Sequence, residues 1–193
     1  SKKDIDVKKI YLNEFIKKGF PSRKLENWKF SDISQIIKKH IGDLNFYNDY
    51  SLPNKIDPYI FVNGLEHNKI VFINGRIEKI EFNYEDENKI EIKDVAELND
   101  KSNFENSLVD LNNAFTNKYY KIVVKENYAL KKPLIIYHTT KENLHHKNIN
   151  LRLDFLLEKN SSLRLIDISD DLSEKNFINT IYNFELNQNS ILK

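Results

Sequence analysis

Five histidines and a few acids are the side chains of this sequence with the chemistry to act on a substrate or hold a metal. His145-His146 is the tandem pair, set in a Lys- and Asn-rich turn. Neighbours on an extended chain point to opposite faces, so these imidazoles share an ion only if the loop bends. A solvated loop is the better reading. His138 ends an apolar run and His40 a helical one, and both have ordinary structural explanations. Asp167, Asp170 and Asp171 flank a turn and lack the paired acid of shifted pKa that glycoside hydrolysis needs. Glu26 and Arg23 read as a local ion pair or cap, and Trp28, the single tryptophan, as a core anchor beside Phe30. There is no cysteine, and four glycines make no phosphate-cradling loop. The expectation is a chain without catalytic, cofactor-binding or metal-ligating residues, and not an enzyme.

Composition narrows the classes further. With 193 residues the chain can bury one sizeable core or two small ones. A net charge of +1 excludes a strong whole-protein field for nucleic acid or anionic membrane. Residues 1–40 hold eleven Lys/Arg against five Asp/Glu, and residues 78–110 hold eleven Asp/Glu against four Lys, which reads as two solvated faces. No run of eighteen apolar residues and no signal peptide is found, so the expected location is cytoplasmic.

The elements that must carry these residues are mostly strands. Ile149, Leu151, Leu153, Phe155 and Leu157 alternate with Asn150, Arg152, Asp154 and Glu158, the period of a half-buried strand. Leu163 and Leu165 begin another such run, and Ile178, Thr180, Tyr182, Phe184 and Leu186 form a third. Ile122 to Val124 and Leu134 to Tyr137 read likewise. Ile135, Ile149, Leu163, Phe177 and Ile191 lie fourteen positions apart. Evenly spaced strands with polar turns point to a coiled β architecture or a sandwich. The pattern does not close at Ile191-Leu192-Lys193, and no Met is present, so the expectation is the front part of something longer. Its open β-edge is expected to self-associate.

Earlier in the chain, Asp4 to Lys18 predicts a helix with Ile5, Leu12, Phe15 and Ile16 on one face, closed by Gly19. A second helix starts at Ser31-Asp32, with Gln35 completing a capping box and Ile33, Ile36, Ile37 and Ile41 as its stripe. Asp43 to Pro58 reads as an irregular linker, and Tyr59 to Val62 as a short strand. Ile70 to Ile73 and Ile77 to Phe82 flank Asn74-Gly75, the strongest hairpin signal available. Ser102 with Glu105 predicts a capping box for a helix with Phe104, Leu108, Leu111 and Phe115 on its stripe.

Four of these segments carry a resemblance. Gly19-Phe20-Pro21-Ser22-Arg23-Lys24-Leu25-Glu26-Asn27-Trp28-Lys29-Phe30-Ser31 resembles the G-L-P-T-R-x-x-E-x-W-K-Y-T signature near the start of the SufD branch of the SufB/SufD family of iron–sulfur cluster assembly proteins. Val71-Phe72-Ile73-Asn74-Gly75-Arg76 is similar to that branch's V-F-V-[ND]-G-R strand. Asp110-Leu111-Asn112-Asn113-Ala114-Phe115 is similar to its x-L-N-x-A-F helix, although Lys118 departs from an expected glycine. Lys132-Pro133-Leu134-Ile135-Ile136-Tyr137-His138 is similar to its K-P-L-x-[IL]-x-H strand entry. The likeness spans about residues 12–193.

The resemblance implies an α-helical N-terminal domain with a small β-hairpin region over 1–117. The first coils of a right-handed parallel β-helix would then fill 118–193. It implies a scaffold component that pairs with a SufB-like paralogue and a SufC-like ATPase. The iron–sulfur cluster is handled by the full complex, with no cofactor in this chain and no nucleic-acid or membrane partner. The family's cluster-related positions and ATPase-binding helices fall after residue 193, so none carries over. A different class, the front of a carbohydrate-active β-helix enzyme, would need acidic or metal-binding side chains along one sheet face. The strands show mostly Asn, Ser and Thr there.

Overall fold

A computed structural model describes residues 2–47, 61–95, 106–116, 118–140, 144–170 and 175–193. Helix α1 (Lys2–Lys18) ends at Gly19, whose φ of +67° suits the left-handed cap and whose N–H donates to the Phe15 carbonyl at 2.7 Å. A 3-10 turn at Glu26–Trp28 leads to α2 (Ile33–Ile36), where the Asp32 side chain accepts from the Gln35 N–H at 3.0 Å. The helix passes into a π turn, Ile37–Ile41, and stops at Gly42. The strands and one further helix follow in chain order. They are β1 (Asn45–Phe46), β2 (Asn68–Ile73), β3 (Arg76–Glu81), β4 (Ile90–Val95), α3 (Ser107–Phe115) and β5 (Tyr119–Val124). Then come β6 (Leu134–Thr139), β7 (Lys147–Leu157), β8 (Ser162–Leu163), β9 (Leu165–Asp170), β10 (Phe177–Leu186) and β11 (Ile191–Leu192).

The strands form three sheets. In the first, β7 lies between parallel β10 on one side and parallel β5 and β1 on the other, with β4 antiparallel beyond β5. The second runs β3-β2-β6-β9, antiparallel only between β2 and β3. The third is the small parallel pair β8-β11. Alternation turns one side of the strands inward, and the sheets curl round one main apolar interior, while Val71, Ile135 and Tyr137 form a second, smaller core cluster with Phe61 and Ile168 packed against it. Ile70, Phe72, Ile122, Val124, Leu134, Ile136, Leu151, Leu153, Phe155, Leu157 and Leu163 fill the main interior. Each such side chain contributes about 1.5–3 kcal/mol on burial.

The Asn74-Gly75 hairpin forms as its sequence predicts, with φ of +50° and +77° and Ile73 opposite Arg76. A Cβ on Gly75 would lie 2.8 Å from Ile149 Cγ2 of β7, so close approach demands glycine there as well as the turn. Three asparagines in left-handed turns, Asn127, Asn160 and Asn189, stack into a ladder. Asn160 donates to Asn127 Oδ1 at 2.8 Å, and Asn189 to Asn160 Oδ1 at 3.1 Å.

The expected fold class is corrected on both counts. No helical N-terminal domain forms: among the described side chains of residues 5–47, only Pro21, Ile37 and Ile41 are buried. The stripe of α1 is too thin to build its own core. Ile5 and Ile16 stay exposed, while Phe15 meets Phe20 at 5.1 Å and Phe20 meets Phe177 of β10 at 6.2 Å. The helix therefore leans on α3 and β10 rather than on a second helical layer. In place of the first coils of a right-handed parallel β-helix stand curled sheets of mixed direction. Antiparallel β3 and β4 are edges of these sheets: the Asn74-Gly75 turn sends β3 back along β2, and β4 runs antiparallel to β5 at the edge of the first sheet. Phe61 and Val62 take no strand, and Asn45-Phe46, read as linker, pairs with β7. Tyr59 and Ile60, and the Ser102–Glu105 cap, lie outside the described residues. The helix cap that is described is Asn106, whose side chain accepts from the Leu108 N–H at 2.9 Å.

Candidate functional site

Polar side chains inside an apolar curl need partners, and three find each other at one margin of this interior. Alternation along β6 turns Leu134, Ile136 and His138 inward. On β9 the inward residues are Leu165 and Asp167, with Ile136 registered beside Asp167. Tyr182 faces inward from β10 in the opposite sheet, beside Leu153. His138 Nε2 lies 3.1 Å from Asp167 Oδ2 and 2.7 Å from the Tyr182 hydroxyl, which itself donates to Asp167 Oδ2. The imidazole is stacked on Phe72, 5.3 Å between centroids and 14° between planes. Its side chain is 10% exposed, whereas that of Asp167 is 39% exposed, so the cluster has a closed floor and an open mouth. A phenol, an imidazole and a carboxylate in mutual contact can relay a proton or hold a cation.

Two further polar clusters are structural. Glu85 accepts from the Asn68 amide at 2.6 Å, the Tyr128 hydroxyl at 2.8 Å and the N–H groups of Lys131 and Lys132 at 3.0 and 3.2 Å. Burial pushes its carboxyl upward, but these hydrogen bonds outweigh burial and hold it below the ordinary value. Burial and the Glu85 carboxylate push the Tyr128 phenol upward. On the outer face of the first sheet, Asn112 of α3 donates to the carbonyls of Leu151 at 3.0 Å and Asn179 at 2.6 Å, and accepts from Thr116 Oγ1 at 2.7 Å. Buried Arg152 donates to Asn113 Oδ1 at 2.9 Å and Asp154 Oδ1 at 3.0 Å. These contacts fasten α3 across the β7–β10 seam.

The remaining sequence candidates are scattered. Trp28 is half-buried and belongs to neither core cluster, since a lone 3-10 turn has no second layer to press it inward. With Pro21, Leu25, Glu26, Asn27, Asn106 and Ser107 it lines a shallow cleft of about 270 Å³. Glu26 pairs with Lys29 at 2.7 Å rather than with Arg23. His145 and His146 are exposed with rings at 90°, 6.4 Å apart, and His40 is exposed at the end of the π turn. Asp170 closes β9, and Asp171 lies outside the described residues. His67, which sequence reasoning passed over, is buried with Nε2 2.9 Å from the Tyr137 hydroxyl and Nδ1 2.7 Å from the Leu65 carbonyl. Asp167 carried a signal: it falls on the inward phase of the Leu163–Leu165 alternation.

Among the described residues no three of His, Cys, Asp and Glu converge, and no helix is long and apolar enough to cross a membrane. No model of a known protein family matches the chain, and no curated protein matches it either.

Proposed function

We propose that this chain is a non-catalytic scaffold component of a cytoplasmic iron–sulfur cluster assembly complex of the SufB/SufD kind. It pairs with a SufB-like paralogue and a SufC-like ATPase, and the complex as a whole handles the cluster. The observation that carries this reading is what the resembling segments do. Phe20 of the first packs on Phe177, Gly75 of the second lets the hairpin press on Ile149, and Asn112 of the third bonds to β7 and β10. The fourth is buried throughout β6. Motif residues spent on holding elements together suit a rigid platform rather than a reaction cleft. The test is affinity purification of the protein tagged at its native locus. Recovery of a SufB-like protein with a SufC-like ATPase is the expected result. Recovery of neither, from cells that make both, overturns the reading.

A further inference from the structure

We propose that His138, Asp167 and Tyr182 bind one divalent transition-metal ion of the zinc or cobalt type. Three donors of suitable chemistry, an imidazole nitrogen, a carboxylate oxygen and a phenol oxygen, meet at one point from three strands. The Nε2–Oδ2 and Nε2–Oη separations are 3.1 and 2.7 Å. Adjacent ligands of an ion with bonds of about 2.1 Å sit roughly 3 Å apart. Both sides of the triangle that meet at His138 have that length, and the direct hydrogen bond from the Tyr182 hydroxyl to Asp167 Oδ2 is the one contact an entering ion has to open. Imidazole with oxygen donors is a set for borderline cations rather than for calcium or magnesium. Charge also balances. Carboxylate and phenolate together neutralise a dication, and the imidazole binds neutral.

Surroundings support the same assignment. Phe72 stacked under the imidazole and Phe155 6.0 Å from the Tyr182 ring give the site an apolar floor that fixes two of the ligands. Asp167, on the solvent side, provides the way in and leaves a further coordination position to water. Binding displaces the phenol proton to solvent and turns Nε2 to the metal, with the imidazole proton carried on Nδ1. One proton is released per ion, so affinity rises with pH. The site rests on these three residues alone and is independent of the assembly role proposed above.

Titration calorimetry of the full chain with zinc, repeated in two buffers of different ionisation enthalpy, tests it. The expected result is one ion per chain, about one proton released, and visible ligand-field bands when cobalt replaces zinc. Asp167→Asn and Tyr182→Phe should each weaken binding about tenfold or more, and Tyr182→Phe should abolish proton release. Asp167 is partly exposed, so Asp167→Asn keeps the test usable if Tyr182→Phe misfolds. A His145→Ala/His146→Ala double variant should bind as the parent does. Absence of zinc binding, equal binding by Asp167→Asn, or loss of binding in the His145/His146 variant overturns the proposal.

Discussion

Lys18, at the last turn of α1, reaches Asp110, in the first turn of α3, with Nζ 2.7 Å from Oδ2 across 92 residues of sequence. The Asp110 side chain is 5% exposed and that of Lys18 35%. This pair is the polar half of the contact that holds α1 on the molecule, Phe15–Phe20–Phe177 being the apolar half. Lys18→Met leaves a buried carboxylate without its cation. A loss of about 1–3 kcal/mol is expected, below the cost for a fully buried pair because Lys18 is partly solvated. Urea unfolding measures it, and limited proteolysis should cut within residues 2–18 sooner than in the parent. Unchanged stability and cleavage would remove the pair from the account of how α1 is held.

Asn112→Ala strips α3 of its bonds to Leu151 and Asn179 and leaves two buried carbonyls short of a donor. The expected cost is about 2–3 kcal/mol, and each kcal/mol lowers Tm by about 2–4 °C at this chain length. Asn112→Asp should be worse, because it turns a carboxylate against those carbonyls. A thermal melt that ranks aspartate above alanine contradicts the bonding pattern.

Glu85 ties the 82–88 turn to the 128–132 turn, and its carboxyl is held below the ordinary value of 4.5. A depressed folded pKa means that its stabilisation is complete above the unfolded value and is lost as pH falls through the folded one. Glu85→Gln should therefore destabilise most at neutral pH, by about 1–3 kcal/mol. The gap from the parent should narrow as the solution is acidified below pH 4.5. Denaturant midpoints across this range decide it, and a pH-independent gap counts against the hub.

Gly75→Ala meets two obstacles, a φ of +77° and Ile149 Cγ2 at 2.8 Å. The expected loss is about 1–3 kcal/mol. In a double-mutant cycle, Ile149→Ala should relieve the steric part and leave the backbone part, a favourable coupling between the two changes. Strict additivity would show that the hairpin tip is not pressed on β7.

Strands were legible wherever alternation ran long enough. Ile149 to Leu157, Leu134 to Tyr137 and Phe177 to Leu186 all form strands there, because burying one face of a pleat imposes that period. Sheet architecture was not, since pairing joins segments far apart in sequence. The fourteen-residue spacing counts successive segments, whereas stacked neighbours such as Asn150 and Asn179 lie 29 apart. The destination of α1 was illegible because a stripe of four apolar residues does not say what it faces. Asn112 falls outside the apolar stripe expected for its helix, yet it is fully buried, because a helix crossing the β7–β10 seam meets backbone carbonyls that an amide can satisfy and a methyl cannot. The His138 cluster was hidden for the same reason: Asp167 is 29 residues from His138 and Tyr182 44.

The asparagine stack has a direction. Asn189 gives its amide hydrogen to Asn160, which gives its own to Asn127, so each rung passes a donor the same way. The amide oxygen of Asn189 is what this column offers onward. At the other end Asn127 accepts without passing a hydrogen along the column, so its two ends differ in chemistry and the column is polar along its length.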